Sequence, residues 1–246
     1  LELAPGHSGR MGIGSGIVSD STAPAEWREC LLKAAFLSAC DPGLKLIETL
    51  RREDGEYPRL SGHLDRLRRS AAWLGFACDE ALVRRRLAAL PVHGIWRVRL
   101  TLDKAGAIEV QAFPLDDAPV TSRLALLAET RIDSGDPLRR LKTTARKVYD
   151  DALSILAPGS PVFDVVFLNE RGEVAEGARS NVFVERDGCL LTPPLSSGAL
   201  PGVLRGELLA AGRAREAVLL PEDLASGFWL GNALRGLLPV RLAAQQ

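Results

Sequence analysis

Long apolar runs are missing from this chain: none of its 246 residues lies in a stretch near the ~18 consecutive apolar positions that a membrane-spanning helix requires. The first thirty residues are Gly-rich and mixed in charge rather than a basic head followed by an apolar core, so no secretory leader is read there and a cytoplasmic location is expected. An excess of one charge is also absent. Thirty-one Lys+Arg stand against 31 Asp+Glu, which removes the whole-chain electrostatic reason to expect nucleic acid or an anionic membrane as a partner. Aromatic residues, at 5%, leave little material for base stacking. The four cysteines, Cys30, Cys40, Cys78 and Cys189, lie far apart with no CxxC pair. They exclude a disulfide framework and a zinc finger, and are expected to be reduced, mostly buried thiols. His7, His63 and His93 share no spacing with an acid or thiol that would make a metal site or triad, so they are expected to be solvated or capping. Met11 is the sole methionine and position 1 is Leu, consistent with an alternative start codon or with a chain cut from a longer polypeptide.

Apolar residues at 46% and charged residues at 25% are enough to build a sizeable core with a wet exterior, which excludes global disorder. The length fits one large domain or two small ones. Gly12, Gly14 and Gly16 sit in an apolar, strand-like run, and a helix is expected from about Ala25 to Leu37. Their spacing is GxGxG rather than GxGxxG and no helix opens directly after them, which argues against a dinucleotide loop. From Leu44 the pattern restarts. "LKLIETLRR" alternates like a strand, and Leu64, Leu67, Ala71 and Leu74 fall at helical spacing. A second helix covers about Asp79 to Leu90, and Ile95–Leu102 with Ile108–Phe113 reads as a hairpin. Residues 114–137 read as a connection carrying one strand, Leu124–Leu127. A helix follows from about Thr144 to Leu156, then a β-rich run of three strands, a helix opening at Pro201 and Gly202, and an apolar tail broken by Gly231, Asn232 and Gly236. No internal repeat is present.

Only five lysines occur among the 31 basic residues: Lys33, Lys45, Lys104, Lys142 and Lys147. Lys142 stands at the expected entrance of a helix beside Thr143 and Thr144, which can cap it. An ordinary lysine is neutral in about one molecule in two thousand at pH 7, so an amine nucleophile or base needs desolvation or neighbouring cations. Taken alone, Lys142 is a solvated helix-start residue. Glu176 lies before a Gly177 turn, where it is either a plain hairpin acid or, if the strand end faces a pocket, the kind of acid that keeps a pyridinium nitrogen protonated. Gly202, Val203 and Leu204 offer N–H groups at a helix N-terminus, an anion site suited to phosphate. Arg66 can add a guanidinium fork. These too have equally plain readings, as a helix start and a surface residue. Arg97 and Arg99 point to one face of a strand, where either a substrate carboxylate or plain solvent can meet them.

In this order, "RLSGHLDRLRRSAAWLGF", "LKTTARKVYDDAL", "NERGEVAEGARSNVFV", "LLTPPLSSGALPGVLR" and "GNALRGLLPV" resemble the successive blocks of fold-type IV pyridoxal-phosphate enzymes. That family includes branched-chain and D-amino acid aminotransferases and 4-amino-4-deoxychorismate lyase; the likeness covers about residues 44–240. Residues 1–40 instead resemble the C-terminal end of chorismate-using synthases, where Glu26, Glu29 and Lys33 would approach the metal-bound substrate. The resemblance therefore implies the lyase half of a synthase–lyase fusion in folate synthesis, with a synthase domain upstream.

It also implies roles, residue by residue. Lys142 would form the Schiff base and shuttle protons, and Glu176 would hold the pyridine nitrogen. Arg66, Gly202, Val203 and Leu204 would contact the phosphate, with Asn232 and Ala233 as a further contact near it. Related aminotransferases usually place Thr where Leu204 stands, a departure that leans toward lyase. Arg97 or, more so, Arg99 would grip a substrate carboxylate; no metal ligand is implied. The expected fold is α/β (α+β), two-domain and D-amino acid aminotransferase-like. Its divisions are a synthase remnant at 1–40, a small α+β domain at 41–115, a connection at 116–135 and a larger β-rich domain at 136–246. Pyridoxal 5'-phosphate would lie in the cleft of a homodimeric lyase acting on aminodeoxychorismate. An aminotransferase using the same cofactor residues is the alternative within the enzyme class, and a non-catalytic interaction module of a fusion is the alternative outside it.

Overall fold

Two separate apolar patterns, one before and one after residue 44, produce two compact units, 1–44 and 45–246. The computed structural model describes residues 2–4, 8–10, 12–38, 43–116, 123–157 and 160–243. Met11, His7 and Cys40 lie outside the described residues. Within the first unit, strand β1 (Glu2–Ala4) pairs antiparallel with β2 (Ser8–Arg10), and helix α1 spans Ala23–Ser38. The run holding Gly12, Gly14 and Gly16 is irregular rather than strand-like, as expected of glycines that pack no side chain into a ladder. Glu29 and Lys33 pair across one turn of α1 at 2.5 Å.

The second unit begins with strand β3 (Leu46–Glu53), helices α2 (Leu60–Leu74) and α3 (Glu80–Ala88), and strands β4 (Ile95–Leu102) and β5 (Ile108–Pro114). The three strands form an antiparallel sheet in the order β3-β4-β5. Strict alternation in β4 sends Val98, Leu100 and Leu102 into a core with Leu46, Leu50, Leu64, Leu67 and Leu87, and leaves Arg97 and Arg99 on the opposite face. Gly75 ends α2 in the left-handed conformation at φ 68°, which a side-chain-bearing residue adopts only at a cost. The Asp79 side chain accepts from Leu82 N at 3.0 Å and so starts α3.

The remainder forms an eight-stranded sheet. Its strands are β6 (Arg123–Leu127), β7 (Val162–Leu168), β8 (Val174–Gly177), β9 (Asn181–Arg186), β10 (Cys189–Thr192), β11 (Ala214–Glu216), β12 (Phe228–Asn232) and β13 (Gly236–Leu242). Their order is β11-β10-β9-β12-β13-β6-β7-β8. Helices α4 (Lys147–Ser154) and α5 (Val203–Ala210) pack on it. The strand expected at Leu124–Leu127 is β6, an interior strand parallel to both β13 and β7. Two sequence expectations change. The run from 162 to 192 holds four strands rather than three, because Gly177 turns the chain once more. The tail is a hairpin in which Asn232 and Gly236 flank the turn rather than break a run. Among the described residues no helix is long and apolar enough to cross a membrane.

Phe183 is fully buried among Leu204, Leu208 and Ala214. Phe183→Ala is expected to lower the unfolding free energy in urea by about 3–5 kcal/mol, whereas Trp73→Ala, at a residue 62% exposed, should change it by less than about 0.5 kcal/mol.

Candidate active site

Lys142 stands in extended backbone rather than at a helix entrance. A 3-10 helix, Pro137–Arg140, ends just before it, and α4 opens only at Lys147. Two backbone bonds join this segment to the start of β3: Ile47 N donates to Lys142 O at 2.8 Å and Thr144 N to Lys45 O at 2.9 Å. The two threonines do not cap α4. Thr144 Oγ1 accepts from Lys45 N at 2.9 Å, Thr143 Oγ1 accepts from Ala145 N at 3.2 Å, and the N-cap position is held by Arg146. The lysine is thus fixed where the two sheets of this unit meet. Burial, with Arg66 and then Arg146 adding repulsion, lowers its pKa to about 8. Lys147 is 86% exposed and paired with Asp151 at 2.6 Å.

Lys142 lines a cavity of about 600 Å³, within the usual range of small-molecule sites. Glu176, buried in β8, lines it too. Tyr149 Oη donates to Glu176 Oε1 at 2.5 Å and Leu200 N donates to Oε2 at 2.9 Å. Burial raises the Glu176 carboxyl to about 7 despite both donors and the Lys142 charge, which pull it down. Burial and the adjoining Glu176 push the Tyr149 hydroxyl well above its ordinary value. The hydroxyl therefore stays protonated and donates.

Gly202 and Val203 also line the cavity, where α5 presents its first N–H groups. A Cβ on Gly202 would lie 2.0 Å from Asn181 Oδ1, so only glycine permits this approach. Leu204, expected to offer a backbone N–H, has its side chain buried with Phe183 and Leu208 and its backbone at the helix start. Arg66 lines the cavity with its fork already engaged. Its Nε and Nη2 donate to Glu48 at 2.8 and 2.5 Å, and Nη1 reaches Pro201 O at 3.4 Å. His63 is no solvated histidine; it is buried, with Nδ1 2.7 Å from Glu48 Oε2. Burial alone would raise Glu48, but Arg66 and His63 outweigh it and bring the carboxyl to about 2. Asn232 and Ala233 lie on the same wall, yet the Asn232 amide is spent on structure: it accepts from Leu234 N and Arg235 N and donates to Arg179 O and Ser180 Oγ.

Arg97 and Arg99 both face the cavity, and Arg97 lies 4.8 Å over the Phe113 ring. Every expected site residue except Leu204 thus borders one space. Sequence reasoning missed Glu48, Tyr149, Arg146 and Arg179. Tyr149, one of the chain's two tyrosines and the one in α4, carried a partial signal, but nothing local linked it to Glu176. Among the described residues no His, Cys, Asp or Glu cluster suited to a metal ion occurs.

The family profile described as Amino-transferase class IV matches residues 45–243. The "Putative aminodeoxychorismate lyase" of Schizosaccharomyces pombe is 34% identical over 183 residues, 71% of this chain and 78% of that protein. The branched-chain-amino-acid aminotransferase of Escherichia coli is 34% identical over 110 residues, which is 40% of this chain and 36% of that protein. Among solved structures, a "Putative amino-acid aminotransferase" from Mesorhizobium loti aligns with TM-score 0.72 and 41% identity, covering 81% of this chain and all of that one. A hypothetical aminotransferase from Mycobacterium tuberculosis, in an alpha-ketoglutarate and PMP bound form, aligns with TM-score 0.70 and 25% identity over 83% of each chain.

Glu176 generates a pH prediction for the protein without added ligand. Its folded-state pKa of about 7 exceeds the ordinary 4.5, so the stability it permits is fully present below 4.5 and is lost as pH rises toward 7. Glu176→Gln removes that loss. In urea unfolding, the variant should gain on the parent between pH 4.5 and 7.5 by up to roughly 3 kcal/mol. A difference that does not change with pH would contradict the assigned shift.

Proposed function

The chain belongs to the class IV aminotransferase family, whose fold-type IV members depend on pyridoxal phosphate, and within it we propose that the protein is a 4-amino-4-deoxychorismate lyase, releasing pyruvate to leave 4-aminobenzoate. The residues present fit the coenzyme. A half-buried lysine with a lowered pKa faces the same cavity as a buried acid, and a glycine-opened helix start with Arg66 beside it supplies donors for a phosphate. Lys142 would be the covalent anchor, Glu176 the partner of the ring nitrogen, and Gly202, Val203 and the Leu204 backbone the phosphate contacts. When bound, the coenzyme supplies an electron sink for a carbanion beside the substrate nitrogen.

The rest of the chemistry falls to this chain's residues. With a pKa of about 8, the Lys142 amine is neutral in roughly one molecule in ten at pH 7, against about one in two thousand for an ordinary lysine. That amine would accept the proton from the amine-bearing ring carbon of the substrate and deliver a proton to the departing enolpyruvyl group. The ring carbon–oxygen bond breaks with its electron pair going to oxygen, the protonated fragment leaves as pyruvate, and the ring becomes aromatic. Glu176 would keep the coenzyme's pyridine nitrogen protonated, and the Tyr149 hydroxyl holds that carboxyl in place. One amine that both accepts and donates needs no catalytic histidine.

The observation that carries the lyase reading is the pair Arg97 and Arg99 on the cavity face of β4. Aminodeoxychorismate bears two carboxylates, and a guanidinium on this face offers one of them a fork, with Arg99 the better placed opposite Thr49. The S. pombe relative, matched over most of both chains, supports the same reading. The second reading, a branched-chain or D-amino acid aminotransferase, draws on the aminotransferase names among the relatives and would use the same lysine.

Incubation of the loaded protein with aminodeoxychorismate should release pyruvate and 4-aminobenzoate in equal amounts. Glutamate formation from an amino acid and 2-oxoglutarate, without aminobenzoate, would replace the lyase by the aminotransferase. Absence of visible absorption after coenzyme addition would favour a non-catalytic module instead. Lys142→Ala should abolish both absorption and turnover, while Lys147→Ala keeps both; equal effects would show that a different amine is used.

A further inference from the structure

The turn between β8 and β9 carries an arginine for which the chemistry above has no use. Arg179 lines the cavity three residues after Glu176, and its backbone is held on three sides. Arg179 N donates to Asp164 Oδ2 at 3.3 Å, the Asn232 amide donates to Arg179 O at 3.3 Å, and Arg146 Nη2 donates to the preceding Ala178 O at 3.0 Å. Its guanidinium lies over the Phe163 ring at 4.6 Å, and Nη2 donates to Phe163 O. A planar fork stacked on a ring and tied through one nitrogen is held in one orientation on the cavity wall.

The local charge balance asks for an anion. Arg179 as a whole is exposed on the cavity wall, yet its partly covered guanidinium has a lowered pKa, by desolvation first; Asp164 opposes that shift, while Arg123, Arg97 and Arg146 add to it. Arg146 has a partner of its own in Asp150 at 2.8 Å, and Arg123 shares the Phe163 ring with Arg179 at 5.3 Å. Guanidiniums gathered at one end of a cavity are held against mutual repulsion by the fold, and a carboxylate arriving there relieves it.

We propose that Arg179, with Arg146 and Arg97 beside it, forms a second carboxylate site and makes the cavity selective for dianionic substrates. This rests on the lyase reading: Arg99 takes one carboxylate of aminodeoxychorismate and Arg179 the other. A monocarboxylate amino acid with an apolar side chain would leave the Arg179 site unfilled.

The test uses chorismate, which keeps both carboxylates but has a hydroxyl in place of the amine, so it binds without reacting. Its dissociation constant is measured by calorimetry on the coenzyme-loaded parent, Arg179→Ala and Arg179→Lys, with coenzyme affinity and visible spectrum recorded for each. Arg179→Ala should weaken chorismate binding about tenfold to a hundredfold, the range of one charge-assisted fork. Arg179→Lys should recover part of the loss, and coenzyme affinity and spectrum should stay unchanged. For aminodeoxychorismate turnover, KM should rise more than kcat falls. Chorismate affinity within about twofold of the parent, or a loss that tracks loss of coenzyme, would overturn the site. If the parent releases no pyruvate from aminodeoxychorismate yet Arg179→Ala still loses chorismate, the lyase reading fails and the carboxylate site stands. If the parent turns substrate over and Arg179→Ala does so equally well, the site fails alone.

Discussion

Partial withdrawal of a single lysine amine from water is the constraint on which the rest of the second unit is organised. Lys142 reaches its place because its backbone is stitched to the start of β3 by two hydrogen bonds, so the segment between the 3-10 helix and α4 is held extended where the three-stranded and eight-stranded sheets meet. Removing an ammonium from water favours its neutral form, and the nearby guanidiniums of Arg66 and Arg146 add to that preference. The same burial acts in the opposite sense on Glu176, which holds its proton near neutrality. One dry cavity thereby brings a base and an acid toward the same pH range from opposite directions.

The scarcity of lysine and the small number of aromatic rings belong to one design. Phe113, Tyr149 and Phe163 each carry at least one guanidinium over the ring: Arg97 on Phe113, Arg139 and Arg146 on Tyr149, Arg123 and Arg179 on Phe163. Arginine stacks flat and keeps its donors in a fixed fork, whereas a lysine ammonium on a flexible stem does neither. A cavity lined this way positions anions by geometry and leaves Lys142, with its lowered pKa, chemically distinct from the other cations around it.

Much of this was legible in the sequence where the signal is local. Alternation in "IWRVRLTL" placed Arg97 and Arg99 on one face, and the Pro201-Gly202 pair marked the start of α5. Long-range pairing hid the rest. Lys142 and Thr143 pair with β3 across nearly a hundred residues, so a helix-like pattern masked an extended segment. The strand at Leu124–Leu127 was legible, but not its interior place in the sheet, because its partners, β13 and β7, come later in the chain. His63 looked solvated until the fold brought Glu48 to its Nδ1, and Tyr149 gained a role only by meeting Glu176.

The central claim is that the Lys142 amine is the coenzyme's covalent anchor. Borohydride treatment of the pyridoxal-phosphate-loaded protein, followed by proteolysis and mass spectrometry, tests it directly. The account predicts a phosphopyridoxyl group on the peptide containing Lys142 and on no other; a label on Lys45 or Lys147, or no label, would contradict it.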